Sequence, residues 1–236
     1  MQSIIYSTST LGILLIIGLA YFSNFIDNKD IATSALALVG TFFGATLAFR
    51  LNIKKEQEET HRKRREAINR CLFILVRQEN AIKQMHREYE KIPNLQIRAF
   101  NMPALKPPSY SDLIQNFSDL EFIIHEYDPN VLFKLAIEQE RFAQTMISVN
   151  ARNDFYVDEV QKELSASITN GQIVTSELLL EKLGQRVFHS AINYVTTASE
   201  MLALSVESIS EMQNEIRKLG KILYPKSKFI SSENET

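Results

Sequence analysis

Charge is distributed along this 236-residue chain in a way that leaves few folds open. No Asp, Glu, Lys or Arg occurs from Met1 to Ile26, and none occurs in the 19 residues from Ile31 to Phe49. A helix rises about 1.5 Å per residue, so roughly 20 apolar residues cross the hydrocarbon core of a bilayer. The second stretch, IATSALALVGTFFGATLAF, meets that length directly. The first has an apolar centre from Leu11 to Phe22, which Ile4, Ile5, Tyr6 and the hydroxyls of Ser7 to Thr10 extend to spanning length. It lacks the basic leader and small-residue cleavage site of a secretory signal. The sequence therefore predicts two transmembrane helices, over about residues 4–26 and 31–50, joined into a hairpin by Asp27-Asn28-Lys29-Asp30. Neither span carries an interior charge, so an ion pathway through one hairpin has no support.

Lysines and arginines near the span ends set the orientation. The linker has only Lys29, whereas Arg50 to Arg70 holds Arg50, Lys54, Lys55, Arg62, Lys63, Arg64, Arg65 and Arg70. Both termini are therefore expected on the cytoplasmic side. Within the second span Gly40, Gly44 and Ala48 are spaced by four and share one helix face. Such small residues let helix backbones approach closely in lipid. The face suits packing within the hairpin, against the region of Gly12 or Gly18, and equally suits contact between copies of the chain.

The remainder reads as an all-α cytoplasmic part, an antiparallel bundle of long helices over residues 51–224 with a tail, 225–236, expected to be flexible. From Ala45 to Ile92 there is no Gly or Pro, so the second span can continue as one helix of about 70 Å. Ile68, Leu75, Ile82 and Tyr89 recur by seven, Cys71, Met85 and Ile92 lie three further on, and Phe73, Ile74 and Val76 widen the stripe. Residues 93–110 hold four of the six prolines and break the helix, while their apolar side chains favour a loop packed on the bundle. A helix is expected from Ser111-Asp112 through Leu113, Phe117, Leu120, Ile124 and Tyr127, and another behind the cap Asp128-Pro129. A break is expected near Asn150 to Asn153, and Gly171 closes the element after it. The last helix starts at Thr175-Ser176 and reaches Tyr224 before Pro225. In it Phe188, Val195, Leu202, Ile209, Ile216 and Leu223 repeat by seven, beside Ala191, Ala198, Ser205, Met212 and Leu219. That row is expected to pair with the helix over 68–92.

No constellation argues catalysis, and no cofactor is expected. His61, His86, His125 and His189 are too far apart for a helical metal pair, and phosphate-binding glycine loops and nucleophile turns are missing. Cys71, the single cysteine, cannot form an internal disulfide and reads as a buried structural thiol. One charge anomaly remains. Arg50 to Arg70 carries +4, against −5 for residues 71–236, with Lys54, Lys55, Arg62, Lys63, Arg64 and Arg65 as its centre. Topology alone accounts for such a run. Attraction to anionic lipid head groups, at about 1 kcal/mol per basic residue, is a second use, and phosphate contact with nucleic acid a third. No aromatic residue lies between 50 and 70 to stack bases, which disfavours base-specific reading there.

The tight hairpin followed by GTFFGATLAFRLNIKKEQEE and an all-helical domain resembles the small two-transmembrane effector proteins of bacterial retron defence systems. The resemblance covers the hairpin and the run to about Arg70; beyond it only size and helical character correspond. It implies an inner-membrane effector, held inactive by a reverse transcriptase and its RNA-linked DNA and damaging the membrane when released. Gly40, Gly44 and Ala48 would then serve membrane assembly, and the bundle would contact the reverse transcriptase and nucleic acid. A passive membrane tether whose bundle recruits a soluble partner explains the same features.

Overall fold

The computed structural model describes residues 28–105, 107–167 and 175–230, which divide into two compact units, one up to His61 and one from Arg62. Among the described residues all regular structure is helical. The expected first span, 4–26, and Gly171 lie outside them. Helix α1 (Asn28–Glu90) takes three of the four residues read as the hairpin linker into its first turn. Up to His61 it forms the described part of the first unit, and from Arg62 it opens the second.

In the second unit α1 is followed by α2 (Leu95–Asn101), a 3₁₀ turn (Phe117–Leu120), α3 (Phe122–Glu126), α4 (Pro129–Phe155), a π-helical turn (Tyr156–Gln161), α5 (Lys162–Ser167) and α6 (Ser176–Leu223). The expected caps are in place. Asp128 accepts from the Asn130 N–H ahead of Pro129, and Thr175 accepts from the Leu178 N–H. Both heptad rows point inward: Ile68, Leu72, Leu75, Ile82 and Tyr89 of α1 and Leu202, Ile209 and Ile216 of α6 join Leu135, Phe142 and Val149 of α4 in one core. Phe73 departs from the expectation, since it stands half-exposed beside Arg77.

Helix α6 shares this core with α1, as the heptads suggested, and packs extensively against α4 as well. Helices α4 and α6 run antiparallel, with Lys134 against Glu215, Glu138 against Ser208 and Thr145 against Ser205. Thr145 and Ser205 are fully buried and share a 2.7 Å hydroxyl hydrogen bond. Small side chains at such a crossing let the helices approach where larger ones would hold them apart. Helix α1 joins this pair through the same core and through Gln213 Nε2, which donates to the buried Glu79 at 2.8 Å.

Three expected boundaries are corrected, two of them by side chains distant in sequence. Within 93–110 the Asn94 side chain caps α2 by accepting from the Ile97 N–H, and α2 buries Arg98, Ala99 and Phe100. The helix expected from Ser111 does not form. The chain turns at Ser111–Asp112, then the Gln78 side-chain amide donates to Leu113 O and Gln139 Oε1 accepts from the Gln115 N–H, so the stretch is held out of a helix until the 3₁₀ turn. The break expected at Asn150–Asn153 is absent because Arg152 and Asn153 turn inward to bind the backbone of residues 98–105, and α4 continues to Phe155. The first six tail residues are also ordered against the bundle, through Ser227, Phe229 and Ile230.

A second core holds Phe100 stacked on Phe188, with Val160, Leu179, Leu183, Val187 and Val195. Its position explains a break in α6. Continued backwards, the heptad row would bury Glu181 and Gly184, yet both are exposed and Leu179 and Leu183 are buried instead. Gly184 makes this change of phase with φ +68 and ψ 163, a backbone conformation essentially confined to glycine.

Glu138 is buried at the α4–α6 seam, where Arg141 donates to Oε2 at 2.7 Å and Ser208 to Oε1 at 3.0 Å. Burial raises its pKa above the ordinary 4.5, against the opposing pull of Ser208 and Arg141. The folded chain then holds a proton that the unfolded chain has already released, so this group's contribution falls as pH rises from about 4.5 through the folded pKa. Glu138→Gln cannot ionise and lacks that slope. Thermal melts between about pH 4.5 and neutrality are expected to move the stability difference in the variant's favour as pH rises. A difference independent of pH would refute the assignment.

Candidate membrane anchor and its basic flank

The apolar part of α1 is long and apolar enough to cross a membrane, and none of it is buried inside the protein. Leu36, Phe43, Leu47 and Phe49 point outward from different sides of the helix. In water this would be an unstable surface, since exposed apolar area of that extent drives association; in hydrocarbon it carries no penalty. The two hydroxyls in the same stretch are satisfied internally. Thr41 donates to Ala37 O at 2.9 Å and Thr46 to Phe42 O at 2.8 Å, so neither presents an unmatched donor to lipid.

Gly40, Gly44 and Ala48 lie along one exposed face of this helix, as their spacing predicts. A Cβ added at Gly40 or Gly44 would meet nothing within 4 Å. The strip is therefore open, and neither glycine is there to relieve crowding inside the described chain.

The six basic residues grouped by sequence are separated by the fold. Lys54, Lys55, Arg62 and Lys63 are exposed. Lys54 lies 3.9 Å from Glu58 with both side chains largely in solvent, and Arg62 donates to Glu66 at 2.9 Å one turn on. Such pairs hold their partners by about 0–1 kcal/mol, weakly enough to exchange for a phosphate. Arg64 and Arg65 face the bundle. Arg64 pairs with Glu126 and stands 5.2 Å from the Phe122 ring centre, and Arg65 donates to Ser227 Oγ at 3.4 Å. Arg70, counted in the same basic excess, pairs with Asp119 at 2.8 Å.

Cys71 is buried and its thiol is pushed up to about 12 by burial, far from a reactive thiolate. Among the described residues no group of three or more His, Cys, Asp and Glu is placed to hold a metal ion. Sequence reasoning missed the two buried arginines, Arg98 and Arg152, which fasten α2 to the bundle. Arg98 donates to Ile92 O at 2.7 Å and to Ser199 Oγ at 2.8 Å. The signal available was an arginine inside an otherwise apolar proline-rich segment. No protein-family model, no curated protein and no solved structure matches the chain.

Proposed function

We propose that the chain is a non-enzymatic inner-membrane effector. In this reading residues 4–26 and 31–50 form a hairpin with both termini cytoplasmic, and copies associate through Gly40, Gly44 and Ala48. The bundle docks a regulator that prevents clustering. Following the resemblance to retron effectors, that regulator is a reverse transcriptase with its RNA-linked DNA, and its loss lets the hairpins gather and damage the bilayer. Lys54, Lys55, Arg62 and Lys63, all exposed on α1, would meet lipid head groups or nucleic-acid phosphates.

The observation that carries the reading is an apolar helix open on every face, with an unobstructed glycine strip along one of them. Helices in lipid gain little from apolar surface alone and associate by close packing, which is what such a strip provides. One hairpin is too small to enclose a pore, so damage requires several.

A passive tether is the second reading, favoured by a different observation. Phe133, Ile137 and Ile147 lie on one face of α4 and remain exposed, a surface suited to recruiting a protein partner. Induced expression in a bacterial host separates the two. The effector is expected to collapse the membrane potential and stop growth, whereas unchanged growth and potential with the protein inserted would leave the tether. Capture of the tagged chain in mild detergent from its native host, with protein and nucleic acid both identified, tests the regulator. Absence of a reverse transcriptase and of a nuclease-sensitive RNA–DNA species would remove it.

A further inference from the structure

After α6 the chain turns at Tyr224, where the Ser227 N–H donates to Tyr224 O at 3.0 Å, and returns along the bundle. Ile230, the last described residue, is held by side chains of two different helices. Asn69 Oδ1 of α1 accepts from the Ile230 N–H at 3.2 Å, and Arg217 Nε of α6 donates to Ile230 O at 3.1 Å. Both main-chain groups of one residue are thus held by side chains, the pattern by which an extended segment is gripped without regard to its sequence. Specificity comes from the preceding residue. The Phe229 ring lies over Gly220, so close that a Cβ there would stand 2.9 Å from it. Glycine is among the poorest helix formers, yet it occupies a fully helical, buried position in α6 at the point where the ring needs room. Phe229 and Ile230 pack on the main core only partly buried, so the segment sits in a groove at the surface and is not threaded through the interior.

We propose that this groove, formed by Asn69 of α1 with Arg217 and Gly220 of α6, is a docking site for an extended protein segment bearing an aromatic–aliphatic pair. The chain's own Tyr224–Ile230 occupies it as a releasable strap. A partner segment of the same chemistry then engages the bundle only by displacing the strap, which makes tail docking and partner binding mutually exclusive. The inference does not depend on the membrane reading, since every residue in it lies beyond Arg62.

The test uses the full chain in detergent, intact or truncated after Tyr224, and a fluorescent peptide of residues 224–236. Binding to the truncated chain is expected to be about tenfold tighter than to the intact chain, the factor produced by a strap docked about nine-tenths of the time. A peptide carrying Phe229→Ala, or a truncated chain carrying Gly220→Leu, is expected to lose that binding. A folded truncated chain that binds no peptide, or binds the alanine peptide equally, overturns the proposal. In the intact chain Phe229→Ala is expected to speed tryptic cleavage after Lys226 and Lys228 while the bundle melts at an unchanged temperature. Unchanged cleavage would overturn the strap, and so would loss of the bundle's cooperative melting, which would make the tail a fixed part of the fold.

Discussion

Replacing Arg152 with methionine is expected to destabilise the bundle by about 3 kcal/mol, the largest single-residue effect outside the apolar core. The guanidinium is buried in α4 and donates to the carbonyls of Pro103, Met102 and Arg98, with its Cζ 4.7 Å from the Tyr156 ring centre. Those carbonyls belong to the C-terminal end of α2 and the turn that leaves it; Arg98 O also accepts from the Met102 N–H, and a cation there is favoured by the backbone dipoles. Burial lowers the pKa of Arg152, partly offset by Tyr89 and Tyr156, but the group stays charged at any pH the fold survives. Methionine fills much of the volume and leaves at least two carbonyls unpaired, at about 1–3 kcal/mol each, less the regained cost of desolvating the cation. A domain of this size then melts about 10 °C lower. Hydrogen exchange is expected to speed first over Leu95–Leu105, the segment the arginine fastens. Lysine should rescue poorly, because its donors radiate from a single nitrogen, whereas Arg152 reaches these carbonyls from both Nη1 and Nη2. A variant within about 1 kcal/mol of the parent would show that the carbonyls find other donors.

The second large effect concerns Gly40→Leu combined with Gly44→Leu. A Cβ at either position meets nothing within 4 Å in the described chain, so the double substitution starts into open space there. Leucine also favours insertion, by about 0.5 kcal/mol per site. Insertion of the double variant, checked by membrane fractionation, then separates lost association from failed insertion. Growth arrest and loss of membrane potential are expected to disappear, cross-linking between copies in membranes to fall sharply, and the melting of the bundle to stay unchanged. The bundle belongs to a separate compact unit, which is why its stability serves as the control. Full toxicity in a stably inserted double variant would remove the glycine strip from the mechanism. Retained cross-linking with lost toxicity would place the strip's role within the hairpin.

What could be read from the chain followed the range of the forces involved. The heptads of α6, the Asp128-Pro129 cap and the Gly40-Gly44-Ala48 face depend on neighbours three to seven residues away, and the structure repeats them. The segment after Ser111 looked helical by the same rule, but its conformation is decided by Gln78 and Gln139, which lie 35 and 24 residues from the atoms they bind. Likewise the polar run around Asn150–Asn153 looks like a helix end until its partners, 48 to 54 residues earlier, are supplied. The basic flank reads as six equivalent cations because Glu126 and Ser227, 62 and 162 residues away, give no local sign that Arg64 and Arg65 are already engaged.

The phase change at Gly184 has a consequence for how such a chain can vary over generations. A continuous helix transmits every insertion or deletion as a rotation of about 100° per residue, so one added residue anywhere in α6 would turn a whole row of core positions to solvent. A glycine backbone that already departs from helical geometry confines that rotation to one side. Ser176–Leu183 can then gain, lose or exchange residues around the Phe100–Phe188 core while the row from Leu202 to Ile216 keeps its alignment with α4. The end of the bundle is thus free to diversify, and the zipper behind it is under no pressure to change with it.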